Sequence, residues 1–248
     1  MPDATENQRP LSSASFRARD EYCARFTHRL LPYLKCESPM RVLDVGCGTG
    51  SQIFDLARVL PGAAFTGVDL SETNIELARQ AAAQSHDANR IRLVAGDYML
   101  LEEEPFDLIV SYSTLHLVPG STKLLLAKLA RDLAPGGLLA NVMPYECAYN
   151  AMLMAARRLF RRLRGDWTDR FLMATGKLLT RTTLMDEQML RERLLYMYLL
   201  PHRLDGVQFR QLAEECGLHW IADEPERHAS IAQPKHNAVF FRKQVTSA

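Results

Sequence analysis

An apolar run that ends in three alternating glycines constrains this chain more than any other feature. Residues 42–45 have the pattern of a buried strand, Gly46, Gly48 and Gly50 follow at every second position, and a helical pattern begins near Ser51. Glycine tolerates positive φ angles and lacks the Cβ that keeps a ligand away from the backbone, and the first N–H groups of a helix are unpaired donors. The stretch therefore predicts a strand–turn–helix unit whose turn binds a cofactor.

The glycine spacing distinguishes between two kinds of cofactor. A dinucleotide-binding turn has the spacing Gly-x-Gly-x-x-Gly, which brings a pyrophosphate to the helix N-terminus, but Ser51 stands where the third glycine is required. Asp44 lies two residues before the first glycine, and a carboxylate at that place suits a cationic ligand group better than a diphosphate. Asp44 therefore predicts a ligand that carries an ammonium group.

Five segments, in the same order along the chain, resemble the class I S-adenosylmethionine-dependent methyltransferases. Residues 42–50 have the family's pattern of an apolar pair, an acid, an apolar residue and Gly-x-Gly-x-Gly. The segments similar to the family's second, third and fourth strands and to its turn into the fifth strand are 65–71, 94–98, 106–116 and 133–139. The resemblance covers about 41–145 closely and 205–243 more loosely.

This resemblance implies a site for S-adenosylmethionine, with S-adenosylhomocysteine as the product. Asp69 ends the second strand, where a carboxylate accepts hydrogen bonds from a ribose diol, and Asp97 is expected to accept from the adenine amino group. Leu70 and Tyr98 are expected to lie against the adenine faces. Capping of the next helix is the alternative for the two acids, and core packing for Leu70 and Tyr98. The expected cofactor contacts are Asp44, Gly46, Cys47, Gly48, Gly50, Asp69, Leu70, Gly96, Asp97, Tyr98 and Ser111.

The loop after the fourth strand supplies the expected catalytic residues, because in the family it faces the transferred methyl group. His116 is the predicted proton acceptor, since its ordinary pKa is close to neutral, and packing between leucines is the alternative. Tyr112 is expected to contact the methyl acceptor. The acid that metal-dependent members place here is absent, as is the Asp/Asn-Pro-Pro-aromatic signature of amino-group methylation. We therefore expect no metal and no nucleic-acid base as substrate.

Residues 146–204 interrupt the strand–helix alternation and have helical periodicity, so they predict a helical lid over the acceptor pocket. Gly165 and Gly176 are expected to divide this lid into separate helices. Its methionines suit an irregular apolar ligand, but they also fill ordinary helix cores. They are Met152, Met154, Met173, Met185, Met189 and Met197.

Five arginines between positions 157 and 164 share one side of a predicted helix, with Met152, Leu159 and Leu163 among the apolar residues on the other side. A solvated face is the usual meaning of such a pattern. The functional alternative is that Arg157 and Arg161 bind an acceptor carboxylate or phosphate, and a membrane-surface helix is a third reading. The other expected acceptor contacts are Tyr22, Tyr145 and His202.

Composition sets the broad class. The 248 residues are 47% hydrophobic, which predicts a single domain over 1–248 with room for one insertion. A formal net charge of +1 favours a small-molecule partner over nucleic acid. Five cysteines without Cys-x-x-Cys spacing indicate reduced thiols and a cytoplasmic location. Residues 1–15 are polar and expected to be flexible, and no apolar run reaches the roughly 18 residues of a membrane span.

The periodicities complete the expected architecture. Strand patterns near 41–46, 64–69, 91–95, 106–111 and 137–143 alternate with helical patterns at 51–60, 72–84 and 121–133. A helix over 206–216 with Asp205 as its N-cap precedes two strands near 219–224 and 237–242. The prediction is an α/β fold: a Rossmann-like, doubly wound, seven-stranded sheet, parallel except for an antiparallel terminal hairpin, with the helical lid inserted after strand five.

The expected function is metal-independent methyl transfer to an oxygen or nitrogen atom of a small-molecule acceptor, which we expect to be anionic and to belong to specialised metabolism, and carbon methylation stays open. A protein or RNA methyltransferase is one alternative. A non-catalytic partner subunit that binds the cofactor is another, because the glycines and acids report cofactor binding rather than turnover. The oligomeric state stays open between monomer and homodimer.

Overall fold

Seven strands form one sheet in the computed structural model, which describes residues 20–35, 39–180, 198–226 and 233–245. The strands are β1 (Arg41–Val45), β2 (Ala64–Asp69), β3 (Ile91–Ala95), β4 (Phe106–Tyr112), β5 (Leu133–Pro144), β6 (Leu218–Glu226) and β7 (His236–Lys243). Their order is β3-β2-β1-β4-β5-β7-β6. The first five are parallel, and β7 lies antiparallel between β5 and β6. The predicted fold class is confirmed.

The helices lie close to the predicted positions. They are α1 (Asp20–Leu30), α2 (Ser51–Val59), α3 (Glu72–Ala83), α4 (Thr122–Asp132), α5 (Ala148–Arg162), α6 (Asp166–Thr180) and α7 (Val207–Glu215). Short 3-10 turns occupy Leu31–Tyr33, Ala88–Arg90, Tyr98–Leu100 and Leu115–Leu117. Within the described ranges, no helix is both long enough and apolar enough to span a bilayer.

Two expectations about helix ends are wrong. Gly165 does separate α5 from α6, but Gly176 lies inside α6, where a single glycine weakens a helix without ending it. Gly206, and not Asp205, is the N-cap of α7. The carboxylate of Asp205 instead forms two hydrogen bonds with Arg210, at 2.8 and 2.7 Å, because an arginine fork is a stronger partner than a backbone amide.

Apolar side chains cover both faces of the sheet. Helices α1, α2 and α3 pack one cluster, with Phe26, Ile53 and Ile75 at its centre, against one face. Helices α4 and α7 pack a second cluster, which includes Leu125 and Phe209, against the other. Burial on both sides explains why the central strands read as continuous apolar runs.

The sheet places its crevice beside β1. This strand pairs with β2 on one side and with β4 on the other, so the connections leave it in opposite directions. A crevice opens at the carboxyl ends of parallel strands wherever the strand order reverses in this way. The glycine turn after β1, the end of β2 and the loop after β4 therefore meet at one edge. The expected flexible start at 1–15, and Met185, Met189 and Met197 of the lid, lie outside the described residues.

Candidate functional site

The glycine turn has one packed position and one open position. All three glycines have positive φ angles, which L side chains rarely adopt. A Cβ at Gly46 would lie 2.2 Å from the side chain of Thr114, so this glycine is required by the loop after β4. A Cβ at Gly48 would meet nothing within 4 Å. Gly48 therefore presents bare backbone to the crevice, as a ligand-binding turn requires.

Asp44 lies beneath this turn with one carboxyl oxygen that has no hydrogen-bond partner among the described residues. Its side chain is buried, and this oxygen is Oδ2. Burial, followed by repulsion from Asp69, raises the pKa of Asp44 from 3.8 to about 8. A buried carboxylate oxygen without a donor is costly unless a cation reaches it. The site thus fits a ligand with an ammonium group, as the sequence predicts.

Asp69 joins the glycine turn to the start of α3. Its Oδ2 accepts a hydrogen bond from Gly48 N at 2.9 Å, and its Oδ1 accepts from Ser71 N at 2.8 Å. The acid therefore has a structural task of the kind considered as its alternative. A carboxylate has about four lone-pair positions, so these bonds leave capacity for a ribose hydroxyl. Its half-buried place at the end of β2 is open to such a ligand.

Only part of the expected adenine site faces outward. Leu70 is 54% exposed, which leaves an apolar surface next to Asp69. Asp97 lies at the end of β3 and its Oδ1 caps the following turn by accepting from Met99 N at 2.9 Å, and Gly96 has open space beside it. Both acids are thus placed at the carboxyl ends of neighbouring strands, consistent with the expected cofactor contacts.

Two expected cofactor contacts belong to the core instead. Tyr98 is 4% exposed, and its hydroxyl donates to Asp132 Oδ2 at 3.0 Å beneath α4. Ser111 is fully buried and donates to Val45 O at 2.8 Å, which supports the glycine turn from below. For Tyr98 the packing alternative holds, because its ring and its hydroxyl are both occupied. Cys47, also buried, turns its thiol toward the β2 side of the turn, within 2.8 Å of a Cβ built at Gly67.

The loop after β4 touches the glycine turn directly. Thr114 packs against Gly46, and Ser113 before it has φ 59, the one positive value among the described non-glycine residues. Tyr112 points toward α1, with its ring 5.7 Å from that of Phe26, and its hydroxyl has no partner in the described part of the chain. Burial and nearby Glu226 raise the pKa of Tyr112.

His116 is enclosed in the 3-10 turn that follows. Burial lowers its pKa well below 6.5, and the proximity of His236, Arg203, Arg157 and His202 lowers the pKa of His116 further. The imidazole is therefore neutral at pH 7. Its ring lies edge-on to His236, with the two centroids 5.7 Å apart. A neutral imidazole has a lone pair to accept a proton, but so low a pKa makes this one a weak base.

Helix α5 is rotated relative to its predicted orientation. Its inner face carries Asn150, Met154 and Arg157, whereas Met152 and Leu159 are more than half exposed. The cause is polar anchoring. The Asn150 amide donates to Tyr145 O and to Lys235 O, each at 2.8 Å, and Arg157 Nη1 donates to Leu199 O at 3.2 Å. The solvated-face prediction is wrong for Arg157, and its burial lowers the pKa to about 10.

Residues 198–204, the last part of the predicted lid, include a buried cation that no sequence pattern singled out. Arg203 is buried, its Nη1 donates to Leu115 O, its Nη2 to Gly120 O at 3.2 Å, and its Nε to Thr122 Oγ1 at 3.5 Å. Burial lowers its pKa to about 10. The neighbouring His202 N donates to His116 O at 2.8 Å. Burial, Arg203 and Arg161 together lower the pKa of His202.

The predicted acceptor contacts thus fall into two groups. Arg157, Arg161 and His202 gather with His116 on the lid side. Tyr22 lies on α1, near the Tyr112 hydroxyl. Tyr145 belongs to neither group and lies after β5, at a bridge to Asp205, where burial raises its pKa. The sequence missed Arg203, Ser113 and His236, and the one local signal was that Arg203 adjoins His202.

A family model described as a methyltransferase domain matches residues 37–179. Among curated relatives, trans-aconitate 2-methyltransferase from Streptomyces coelicolor is 38% identical over 137 residues, which are 54% of this chain and 43% of that protein. Ubiquinone biosynthesis O-methyltransferase from Bartonella tribocorum is 30% identical over 49% of this chain and 47% of its own length. The matches therefore span about half the length of these curated relatives.

Solved structures show the same fold over nearly the whole chain. The N-methyltransferase NodS from Bradyrhizobium japonicum WM9, in complex with S-adenosyl-L-homocysteine, matches with a TM-score of 0.58. The match covers 96% of this chain and 97% of that one at 18% identity. At that identity the likeness establishes the architecture of the sheet and helices.

Proposed function

The chain belongs to the methyltransferase-domain family, and we propose that it uses S-adenosylmethionine to methylate an oxygen or nitrogen atom of a small acceptor that carries a carboxylate. One observation supports the anionic acceptor above all others. The buried guanidiniums of Arg157 and Arg203 lie near His116 at the loop after β4, where Arg203 Nη1 donates to Leu115 O, and both lower the pKa of that histidine. Positive charge gathered in a buried site favours an anionic ligand.

The cofactor part of the site is assigned by its donors and acceptors. Asp44 would hold the ammonium group, Asp69 the ribose hydroxyls, and Leu70 with Asp97 the adenine, while Gly48 allows close backbone approach. When bound, S-adenosylmethionine supplies a methyl group on a positively charged sulfur. The fit rests on Asp44, since an unpartnered buried carboxylate oxygen is satisfied by an ammonium group and not by a phosphate.

The acceptor part of the site contains arginine N–H groups that could bind a carboxylate. Three of the five N–H groups of Arg203 donate to neutral protein oxygens, so two are available in a planar fork that matches a carboxylate. Arg157 and Arg161 approach from α5. The name of one relative, trans-aconitate 2-methyltransferase, gives an acceptor that is itself a carboxylate. That name supports the same substrate class here.

The residues of this chain contribute positioning, exclusion of water and a neutral base. The arginines fix the orientation of the acceptor, and α5 and α6 shield the site, because in-line methyl transfer gains most from alignment and desolvation. His116 is the proton acceptor expected from the sequence, but its burial and low pKa make it a weak base. We propose α5 and α6 as the described part of the lid over 146–204 in a single domain, and a cytoplasmic role in specialised metabolism remains a prediction.

A thermal-shift titration tests the acceptor class. The protein is saturated with S-adenosylhomocysteine, and small carboxylic acids are then compared with their uncharged amides. A ligand that prefers the folded state raises the melting temperature. We expect the acids to stabilise and the amides not to, and we expect Arg157→Gln to abolish the acid effect while the cofactor effect stays.

Arg162→Gln is the matched control, because Arg162 lies exposed on the same helix. It should leave both effects unchanged. Amides that stabilise as well as acids, or an acid effect that survives Arg157→Gln together with Arg161→Gln, would contradict a carboxylate acceptor. Label transferred from S-adenosylmethionine to RNA or to protein would favour the alternative substrate classes.

A further inference from the structure

Ser113 and His236 form a hydrogen-bonded pair to which the function above gives no role. Ser113 Oγ lies 3.0 Å from His236 Nε2, and His236 Nδ1 lies 2.8 Å from Pro234 O. A carbonyl oxygen only accepts, so Nδ1 carries the hydrogen and donates to Pro234 O. In the neutral imidazole, Nε2 is then an acceptor, and the Ser113 hydroxyl donates to it.

The pair lies where the loop after β4 meets the cofactor turn. Ser113 immediately follows β4, and the next residue, Thr114, packs against Gly46 of the turn. Ser113 has φ 59, a conformation that is strained for serine, and Ser113 N donates to Val142 O at 2.9 Å. Strained residues that are held in place in this way concentrate at active sites.

Ser113 is accessible from the crevice, whereas the two neighbouring histidines are not. His116 and His236 are buried, at 7% and 5% exposure, whereas Ser113 is half-buried. An acceptor in the crevice therefore reaches His236 through the serine hydroxyl. Because that hydroxyl donates to His236, the lone pairs of its oxygen can accept a hydrogen bond from the acceptor.

We propose that Ser113 and His236 form a proton relay for methyl transfer, and that the acceptor is a small hydroxy acid whose hydroxyl is methylated. The inference rests on the proposed function, in which the arginines hold the carboxylate. As the acceptor oxygen bonds to the methyl carbon and the carbon–sulfur bond breaks, the acceptor proton moves to Ser113 Oγ. The serine proton moves to His236 Nε2 in the same step. The products are the methyl ether, the thioether and an imidazolium.

The surroundings of His236 suit a transient positive charge. Glu226 lies opposite His236 in the register between β6 and β7. Its carboxylate is held by Arg25 at 3.3 Å and Arg29 at 2.6 Å from α1. The ring of His116 also lies beside His236, and burial keeps His116 neutral. Position 236 is therefore paired across the sheet with a residue that carries a carboxylate and has a neutral ring next to it.

Two substitutions remove groups of the relay while preserving the local fold. Ser113→Gly removes the hydroxyl and relieves the positive φ, so the backbone is preserved. His236→Asn retains a side-chain amide that can donate to Pro234 O in place of Nδ1, and it removes the Nε2 acceptor. Ser121→Gly is the matched control, since Ser121 is exposed and lies eight positions further along the same connection.

The first readout is methyl transfer from labelled S-adenosylmethionine to hydroxybenzoates, followed from about pH 6 to about pH 10, where a phenol ionises. We expect both variants to lower kcat about 100-fold or more near pH 7. The loss should shrink at high pH, because an ionised phenol has no proton to give away. A variant that keeps more than half of kcat, or a loss that is equal at every pH, overturns the relay.

The second readout is binding, measured by calorimetry with S-adenosylhomocysteine saturating. Wild-type protein should bind a hydroxybenzoate more tightly than benzoate, and Ser113→Gly should erase this difference while cofactor affinity changes less than about twofold. A wild-type protein that does not distinguish the two acids contradicts the relay. Benzoate that binds no better than benzamide contradicts the carboxylate site instead, so the two failures are distinguishable.

Discussion

Asp44 couples cofactor binding to the ionisation of the protein. Its pKa of about 8 in the folded state, against 3.8 ordinarily, means that the folded protein retains a proton that the unfolded chain loses. The stabilisation from this proton is complete below about pH 4 and is lost as the pH rises to about 8. We therefore expect the unliganded wild-type protein to lose stability over this range relative to Asp44→Asn. Urea unfolding at a series of pH values measures the difference, and parallel profiles would contradict the buried charge.

Asp69 should determine cofactor affinity. Asp69→Ala removes the ribose acceptor and also releases Gly48 N, so we expect S-adenosylhomocysteine to bind about 10- to 100-fold more weakly, which is the range for a hydrogen bond to a charged group. Glu72→Ala is the control, because Glu72 is exposed in the first turn of the next helix. Calorimetry that shows equal affinity for wild type and Asp69→Ala would remove Asp69 from the cofactor site.

Local spacing predicts some residues of this site and misses others. Asp44, Asp69 and the glycines lie within one strand–turn–helix–strand unit, so the chain itself holds them together. Ser113 and His236 are 123 positions apart, and Arg203 is 88 positions from Leu115, whose carbonyl it binds. Such pairs form only when the sheet is assembled, and nothing in either neighbourhood marks them.

Alanine substitutions at two glycines of the turn should affect stability and cofactor binding differently. Gly46→Ala forces a Cβ to within 2.2 Å of Thr114, whereas Gly48→Ala meets only open space, and both accept a strained positive φ of about 1–2 kcal/mol. We expect Gly46→Ala to destabilise the fold more, and Gly48→Ala to weaken cofactor binding at little further cost in stability. Urea unfolding and calorimetry together measure both effects. A Gly48→Ala variant with wild-type cofactor affinity would show that the ligand does not approach the backbone there.

Helix α1 is clamped to the terminal hairpin by a carboxylate with no exposed side-chain surface. Glu226 pairs with Arg25 and Arg29, so Glu226→Gln removes the carboxylate that pairs with Arg25 and leaves Arg29 paired with Glu224 alone. Both arginines are partly exposed, at 35% and 16%, and we therefore expect a loss of about 2 kcal/mol, below the 3–5 kcal/mol of fully buried pairs. Glu224→Gln is the control, since its 40% exposed pair with Arg29 should contribute about 0–1 kcal/mol. Equal losses in the two variants would argue against the clamp.

Helix α5 shows why amphipathic patterns mislead near a site. The apolar residues of its sequence predict an inner apolar face, but two polar anchors, Asn150 and Arg157, turn the opposite side inward. Hydrogen bonds to backbone carbonyls of distant segments outweigh the gain from burying Met152 or Leu159. Helical periodicity therefore predicted the helix correctly and its orientation wrongly.

For the whole molecule, the sequence predicts the sheet and the cofactor half of the site, but not the acceptor half. Every strand lies within a few residues of its expected position, because apolar runs and turn residues specify βαβ units locally. The cofactor half of the site belongs to that regular framework. The proposed acceptor half draws on the loop after β4, the inner face of α5, residues 198–204 and β7, so it depends on contacts between elements far apart in sequence.

Although the formal net charge is only +1, acidic and basic residues of the site are concentrated in different places. Acids surround the glycine turn, where Asp44 and Asp69 face a cationic cofactor. Arginines and histidines gather on the lid side, where the acceptor is expected. In the proposed function, this polarity would orient a positively charged methyl donor and an anionic acceptor toward each other across the end of β4.

Transfer of labelled methyl groups to two matched small molecules would test this arrangement of donor and acceptor. Purified protein is incubated with methyl-labelled S-adenosylmethionine and either a small hydroxy acid or its amide, and the labelled product is extracted and counted. We expect label in the acid and little in the amide, and we expect Arg157→Gln to reduce the difference. Equal labelling of acid and amide, or labelling of the amide alone, would contradict an acceptor held by its carboxylate.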